Sequence, residues 1–377
     1  YRLTGLFFYD TILISTNSER IFIMDRVTYH DQTDMQNVLK LREVLRTLPE
    51  FCRDYFRAID STTTTKTRIS YAYDIRIFFQ FLVQENPLFK GHKLTDLTID
   101  VLDQVQALDI EEYKEYLKVY KDDRDIFITN GETGVKRKIS TLRSFYNYYF
   151  RLELIKTNPP ALIDIPKIHE KAIIRLDVDE VAMLLDYIEH AGDQLSGQRK
   201  AYYEKTKVRD LALITLLLGT GIRVSECVGL DVEDVDFKND AIKVTRKGGN
   251  EMFVYFGEEV ETALLDYLEV RETITPVAGH EHALFYSIQR KRMGIQAVEN
   301  LVKKYAKQIT STKKITPHKL RSTYGTSLYR ETGDIYLVAD VLGHKDVNTT
   351  RKHYAAIGDE RRRKAASALR LRENPDS

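Results

Sequence analysis

The chain has 377 residues and a formal net charge of +1, with 43% hydrophobic and 30% charged residues. That length suffices for two domains, and the composition is that of an ordinary soluble protein rather than a disordered or membrane-embedded one. Near-zero net charge gives no global sign of nucleic-acid binding, so any basic surface must come from local clustering.

Residues 1–23 are apolar in patches (Leu6–Tyr9, Ile12–Ile14) but broken by Asp10 and the polar run Ser15–Arg20. The segment is too short for a membrane span and lacks a secretory cleavage pattern. It reads as a non-native or disordered extension, with the working chain expected to start at Met24. Leu39–Phe56 reads as a helix with an apolar face at Leu41, Val44, Leu45 and Leu48. Ser61–Thr65 supplies N-cap candidates for a second helix, Lys66–Gln84, whose Ile75, Phe78, Phe79 and Leu82 fall at helical spacing. Lys66, Arg68 and Arg76 cluster near its start. One or two helices are expected in Thr95–Leu117, then a charged turn at Lys121–Asp125 and a loop at Thr129–Gly134. The long helix Val135–Leu154 buries Ile139, Leu142, Tyr146 and Tyr149, and its leading end carries Lys136, Arg137, Lys138 and Arg143. A basic helix start can hold phosphates by charge and by its free N–H groups, or it can simply be a solvated end.

Asn158-Pro159-Pro160 breaks that helix, and an extended connector follows to Lys171. This divides the chain into a helical domain at 24–157, a linker at 158–171 and a second domain at 172–377. Leu176–Glu180 opens a helix through Glu189, and the polar Ala191–Lys200 reads as a mobile loop. Leu211–Leu218 is apolar on all sides, as a buried helix is, and Gly219 and Gly221 end it just before Arg223. An arginine there is costly unless it meets an anion; Glu226 can orient it, or merely pair with it. Alternating residues on either side of Lys247-Gly248-Gly249-Asn250 give a β-hairpin with a lysine at its turn. Helices follow at Glu259–Val270 and Gln296–Lys307.

From Thr316 the chain reads T-P-H-K-L-R. Pro317 starts a helix, His318 and Arg321 lie three apart, and Leu320, Tyr324 and Leu328 form a stripe that can bury it. Gly333 reads as a C-cap, Leu337, Val338 and Val341 as the face of a short second helix, and Gly343-His344 as its end. Tyr354 follows after a polar run, and Glu360–Arg372 is a basic helical tail. Cys52 and Cys227 show no pairing pattern, which suits a reducing cytoplasm. No Cys/His metal spacing and no Gly-rich Walker loop occur, so neither metal nor cofactor is expected.

G-T-G-I-R-V-S-E, V-T-R-K-G-G, H-K-L-R, L-G-H and a tyrosine, in that order, resemble the tyrosine recombinase (phage integrase) superfamily, and within it the Xer branch of the longer, single-protein kind. The resemblance is strong from about Arg175 to the end and continues more weakly back to about Leu39. It implies a mainly α fold with a small β-sheet or hairpin, made of a helical core-binding domain and a mixed α/β catalytic domain. It implies a site-specific recombinase that needs neither metal nor ATP and works through a 3′-phosphotyrosine and a Holliday junction. Arg223 and Arg321 would grip the phosphate, Lys247 act as general acid, His318 assist the nucleophile, His344 bond a phosphate oxygen and Tyr354 attack. Lys66, Arg68, Arg76, Lys136, Arg137, Lys138 and Arg143 would contact DNA. The implied partners are duplex DNA with an inverted-repeat core site, three further copies docked through the C-terminal helix, and an accessory translocase or directionality factor; the implied location is the cytoplasm, at the nucleoid. The biological role would be chromosome-dimer resolution or movement of a mobile element.

Two positions depart from the family pattern. Ser322 stands where a histidine commonly follows the second arginine. Tyr354 lies ten residues after His344 rather than nine, with His353 in the expected register. A histidine would be the wrong nucleophile, so a one-residue bulge in Asn348–Lys352 is expected. A type IB topoisomerase or hairpin-forming resolvase shares the chemistry, and a non-catalytic DNA-binding relative would share the fold.

Overall fold

Tertiary packing sorts the chain into two compact units. The structure, a computed structural model, describes residues 28–165, 173–246, 249–344 and 347. One unit takes the described residues up to Gln106 with Thr141–Asn158; the other takes Ala107–Ser140 and the described residues from Pro159 on. The fold is mostly helical with two small antiparallel sheets.

In the first unit, α1 (Tyr29–Leu45) begins at Thr28, which exchanges capping hydrogen bonds with Asp31. The expected single helix over Leu39–Phe56 is in fact the end of α1 and a separate α2 (Cys52–Ala58). Pro49 lies in the gap; its ring and missing N–H cannot continue a helix interior. Helix α3 (Thr65–Glu85) is capped by the Thr64 hydroxyl and packs on α1. After a 3-10 turn at Leu94–Asp96 comes the short α4 (Val101–Gln104). The core is aromatic: Phe145 meets Tyr55 at 5.2 Å and Tyr149 at 5.1 Å, both edge to face. The Tyr149 hydroxyl donates to the Phe51 carbonyl at 2.6 Å, which satisfies the one polar atom this ring carries inward.

Thr95–Leu117 thus holds two helices, within the one or two expected there, with α5 (Ala107–Tyr116) as the second. The charged turn expected at Lys121–Asp125 is the turn of a β-hairpin, β1 (Val119–Lys121) with β2 (Phe127–Thr129), and the loop expected at Thr129–Gly134 is cut short by α6 (Glu132–Arg151). Strands of three residues are too short to show a period of two. Helix α7 (Pro159–Leu162) is a single turn.

The catalytic-motif region is built on α9 (Gly197–Thr220), which packs against α8 (Val178–His190), α11 (Glu258–Glu272) and α13 (Pro317–Thr332). The expected loop at Ala191–Lys200 is a 3-10 turn, Ala191–Gln194, running into the start of α9. Polar residues extend a helix readily once its apolar part is buried elsewhere. Asp210, fully buried, accepts from Arg209 Nε at 3.0 Å and from the Tyr305 hydroxyl at 2.9 Å. Helix α10 (Val224–Gly229) follows α9. Strands β3 (Val235–Asp236), β4 (Ala241–Thr245) and β5 (Glu251–Tyr255) then form a three-stranded sheet, with Thr245 opposite Glu251. Helix α12 (Ile295–Ile309) precedes α13, and α14 (Ile335–Leu342) closes the described fold, burying Val338 and Leu342 against Tyr324 and Leu328.

Candidate active site

Helix α9 ends on Gly221, which adopts a left-handed conformation at φ +62°. A Cβ there would also run into the Tyr324 ring, so glycine is needed for space as well as for conformation. The turn it makes delivers Arg223 to the N-cap of α10. The Arg223 backbone N–H donates to Glu226 Oε2 at 2.8 Å, and its Nη1 donates to Oε1 at 2.6 Å. Glu226 is only 4% exposed, so its charge depends on that guanidinium for compensation. Arg223 is itself half-exposed and sends Nη2 to the Gly343 carbonyl at 3.4 Å.

Arg321, one turn into α13, is 5% exposed. Its Nη1 donates to the Gly221 carbonyl at 2.5 Å, and its Nη2 donates to the Leu342 carbonyl. Arg246, at the end of β4, donates Nη2 to the Val341 carbonyl at 2.7 Å. Three guanidiniums thus address three successive carbonyls at the C-terminal turn of α14. Those carbonyls are the groups a helix end leaves without intrahelical donors, and they carry the negative end of its dipole. Burial pulls the Arg246 guanidinium below its ordinary pKa; Glu226 opposes that shift and Arg223 adds to it.

His318 shares α13 with Arg321 but is exposed, and its carbonyl accepts from Ser322 Oγ at 3.0 Å. His344 directly follows the left-handed Gly343, and its backbone N–H donates to the Ala339 carbonyl at 2.9 Å. Arg223, Arg321 and the Gly343-His344 turn therefore come together, with His318 on the same helix as Arg321. Lys247, Tyr354, the 348–352 stretch, the basic tail and residues 1–23 lie outside the described residues. Sequence reasoning passed over Arg246, although it stands in V-T-R-K-G-G, because a basic residue beside a hairpin turn ordinarily faces water.

Of the residues expected to contact DNA, Lys66 and Arg137 are exposed, and Arg76, Lys136 and Arg143 are half-buried, with Arg76 5.0 Å from the Tyr73 ring centroid. Arg68 is ion-paired with Asp60 and donates to Thr65 Oγ1 at 3.3 Å. Lys138 departs from the expected solvent-facing helix start. It is 6% exposed and donates to Asn130 Oδ1 at 3.3 Å. Helix α6 starts at Glu132, so Lys138 falls in the buried stripe of Val135, Ile139 and Leu142. Among the described residues no group of three His, Cys, Asp or Glu could hold a metal ion, and no helix is long and apolar enough to cross a membrane.

A profile of the phage integrase family matches residues 175–361, which takes in the arginines and both histidines of this site. The tyrosine recombinase XerC of Caldanaerobacter subterraneus subsp. tengcongensis is 33% identical over 331 residues, covering 85% of each chain. The chain belongs to the phage integrase family. It is a site-specific tyrosine recombinase, an enzyme that transfers DNA strands. The tyrosine recombinase XerS of Streptococcus uberis is 29% identical over 348 residues, spanning 86% of this chain and 96% of that one. Among solved structures, the XerH recombinase in a post-cleavage complex with a palindromic difH substrate superposes with a TM-score of 0.63 at 18% identity, over 89% of each chain. A lambda integrase dimer bound to a core site gives 0.56 at 17%, over 80% of this chain and 92% of that one. At such identities the likeness bears on the fold, which is that of the two-domain recombinases.

Proposed function

We propose that this recombinase cuts and rejoins duplex DNA at an inverted-repeat core site, with residues 24–157 gripping the duplex and 172–377 performing the chemistry. The observation that carries the proposal is the convergence of Arg223 and Arg321 on the carbonyls of Leu342 and Gly343. Two forked donors already aimed at one row of oxygens can exchange them for the non-bridging oxygens of a phosphodiester, the ligand whose geometry guanidinium matches best. Glu226 sets the orientation of Arg223, so little reorganisation is needed when charge builds on the phosphorane-like transition state.

In this reading the Tyr354 phenolic oxygen attacks phosphorus and the bond to the 5′ oxygen breaks. That leaves a 3′-phosphotyrosine and a 5′-hydroxyl. His318 helps take the phenol proton, Lys247 supplies a proton to the departing oxygen, and His344 bonds a phosphate oxygen. The covalent link keeps the phosphodiester energy, so rejoining by a 5′-hydroxyl needs no ATP. Four protomers would act on two sites through a Holliday junction, held by the C-terminal tail, in the cytoplasm at the nucleoid. Resolution of chromosome dimers or movement of a mobile element are the two roles such a reaction serves; an accessory translocase or directionality factor would set its direction.

The test is a half-site suicide duplex whose cleaved fragment diffuses away. Wild-type protein should accumulate a covalent adduct, and Tyr354→Phe should form none while binding the same duplex. An adduct surviving in Tyr354→Phe and abolished by removing another tyrosine would displace Tyr354 from this role.

A further inference from the structure

We propose that Arg246 is a positioning residue: by lying across Gly343 it fastens the C-terminal turn of α14, and with it His344, to the β4–β5 hairpin. This rests on the reading of His344 as a phosphate ligand.

The Arg246 backbone is fixed by the hairpin itself. Its N–H donates to the Asn250 carbonyl at 2.8 Å, and its carbonyl accepts from Gly249 N–H at 3.0 Å. The side chain leaves the hairpin and reaches the Val341 carbonyl, 95 residues on in the chain. On the way it crosses Gly343 so closely that a Cβ there would overlap the guanidinium. Gly343 is also left-handed, at φ +62°, so two separate requirements fall on one residue.

The arrangement is not that of a solvated surface arginine. Among the described residues the Arg246 Nε is buried without a hydrogen-bond partner, and the Arg223 charge acts on the same guanidinium. A desolvated cation beside another cation is unfavourable unless the groups it reaches compensate; here those are the dipole end of α14 and Glu226. Among the described residues, the turn's own backbone bonds run from Gly343 N–H to Asp340 at 2.8 Å and also to Ala339, and from His344 N–H to Ala339 at 2.9 Å. The carbonyls of Val341, Leu342 and Gly343 are held from outside by arginines. When Arg223 and Arg321 exchange their carbonyls for phosphate oxygens, Arg246 is the arginine that remains on the turn. His344 is one peptide bond beyond Gly343, so its ring follows any shift of that turn, and a displacement near 1 Å can lower a rate by about 10²-fold.

The experiment measures single-turnover adduct formation by the full chain on a saturating half-site suicide duplex, with half-site binding by gel shift. Arg246→Ala should slow cleavage by about 10- to 100-fold while binding stays within about threefold. Arg246→Met, which keeps the buried stem, should slow it likewise; this variant serves if the alanine variant is unstable. Arg246→Lys should not rescue, since an ammonium cannot lie flat over Gly343. The deciding measurement is the cycle with His344→Ala: the double variant should be no slower than His344→Ala alone, as for residues acting as one unit. Multiplying losses would overturn the proposal, because Arg246 would then act by another route. Weakened half-site binding with a smaller salt slope would also overturn it, in favour of direct phosphate contact. Full activity in His344→Ala would instead refute the assigned role of His344, an outcome separable from additivity.

Discussion

Arg321 donates through Nη1 to the carbonyl of Gly221, 2.5 Å away and 100 residues earlier in the chain. That bond ties the end of α9 to α13, while the other amino group of the same guanidinium reaches Leu342 at the end of α14. One buried side chain therefore holds three helix segments in register.

Arg321→Ala should lower adduct formation by at least about 10²-fold, the usual effect of deleting one transition-state donor. It should also lower thermal stability, because two buried carbonyls lose their donor at about 1–3 kcal/mol each. Arg223→Ala should show a comparable kinetic loss and leave the Glu226 carboxylate uncompensated. Adduct formation and melting curves on the same preparations separate the two effects.

Gly221→Ala joins fold and catalysis at one atom. The left-handed conformation costs a non-glycine residue about 1–2 kcal/mol, and the added methyl meets the Tyr324 ring. We expect a lower melting temperature together with slower cleavage, since the carbonyl that steadies Arg321 belongs to the displaced residue. Reducing the ring with Tyr324→Leu in the same chain should restore part of the stability; no recovery would mean that the backbone conformation carries the whole cost.

The two cysteines should be inert in the folded protein. Burial pushes the Cys227 thiol up to about 12 and the Cys52 thiol well above its ordinary range. A raised pKa keeps a thiol protonated, so at pH 8 the reactive thiolate is scarce and rises only as pH climbs towards those values. Iodoacetamide at pH 8 should leave the native mass unchanged and add two labels in guanidinium chloride, read by intact mass.

Removing the residues after Gly358 should leave one protomer bound to a half-site but weaken paired-site assembly and recombination. The sequence pattern of that tail, read as a short helix with a narrow apolar face, would be marginal alone and need a partner surface, and a heterologous contact can close a ring. Gel shifts of intact and truncated protein on one-arm and two-arm DNA are the measurement. Unchanged stepwise assembly would remove the docking role, and weaker half-site binding at moderate salt would assign the tail to phosphate contacts.

Features that depend on local chemistry were legible in the order of residues. The helical stripes of α3, α6 and α13, the glycine ends at Gly221, Gly333 and Gly343, and the family motifs all follow from residue type and spacing within one or two turns. Tertiary structure decided whatever depends on partners distant in the chain. The polar start of α9 reads as a loop until its apolar continuation is buried; Lys138 reads as a phosphate contact until α6 packs with that face inward; and the β1–β2 hairpin has strands too short to carry a pattern. Arg246 is the sharpest case. Its neighbours in sequence mark it as a solvated turn residue, and only the approach of α14 gives its guanidinium carbonyl groups to meet and a glycine to lie across.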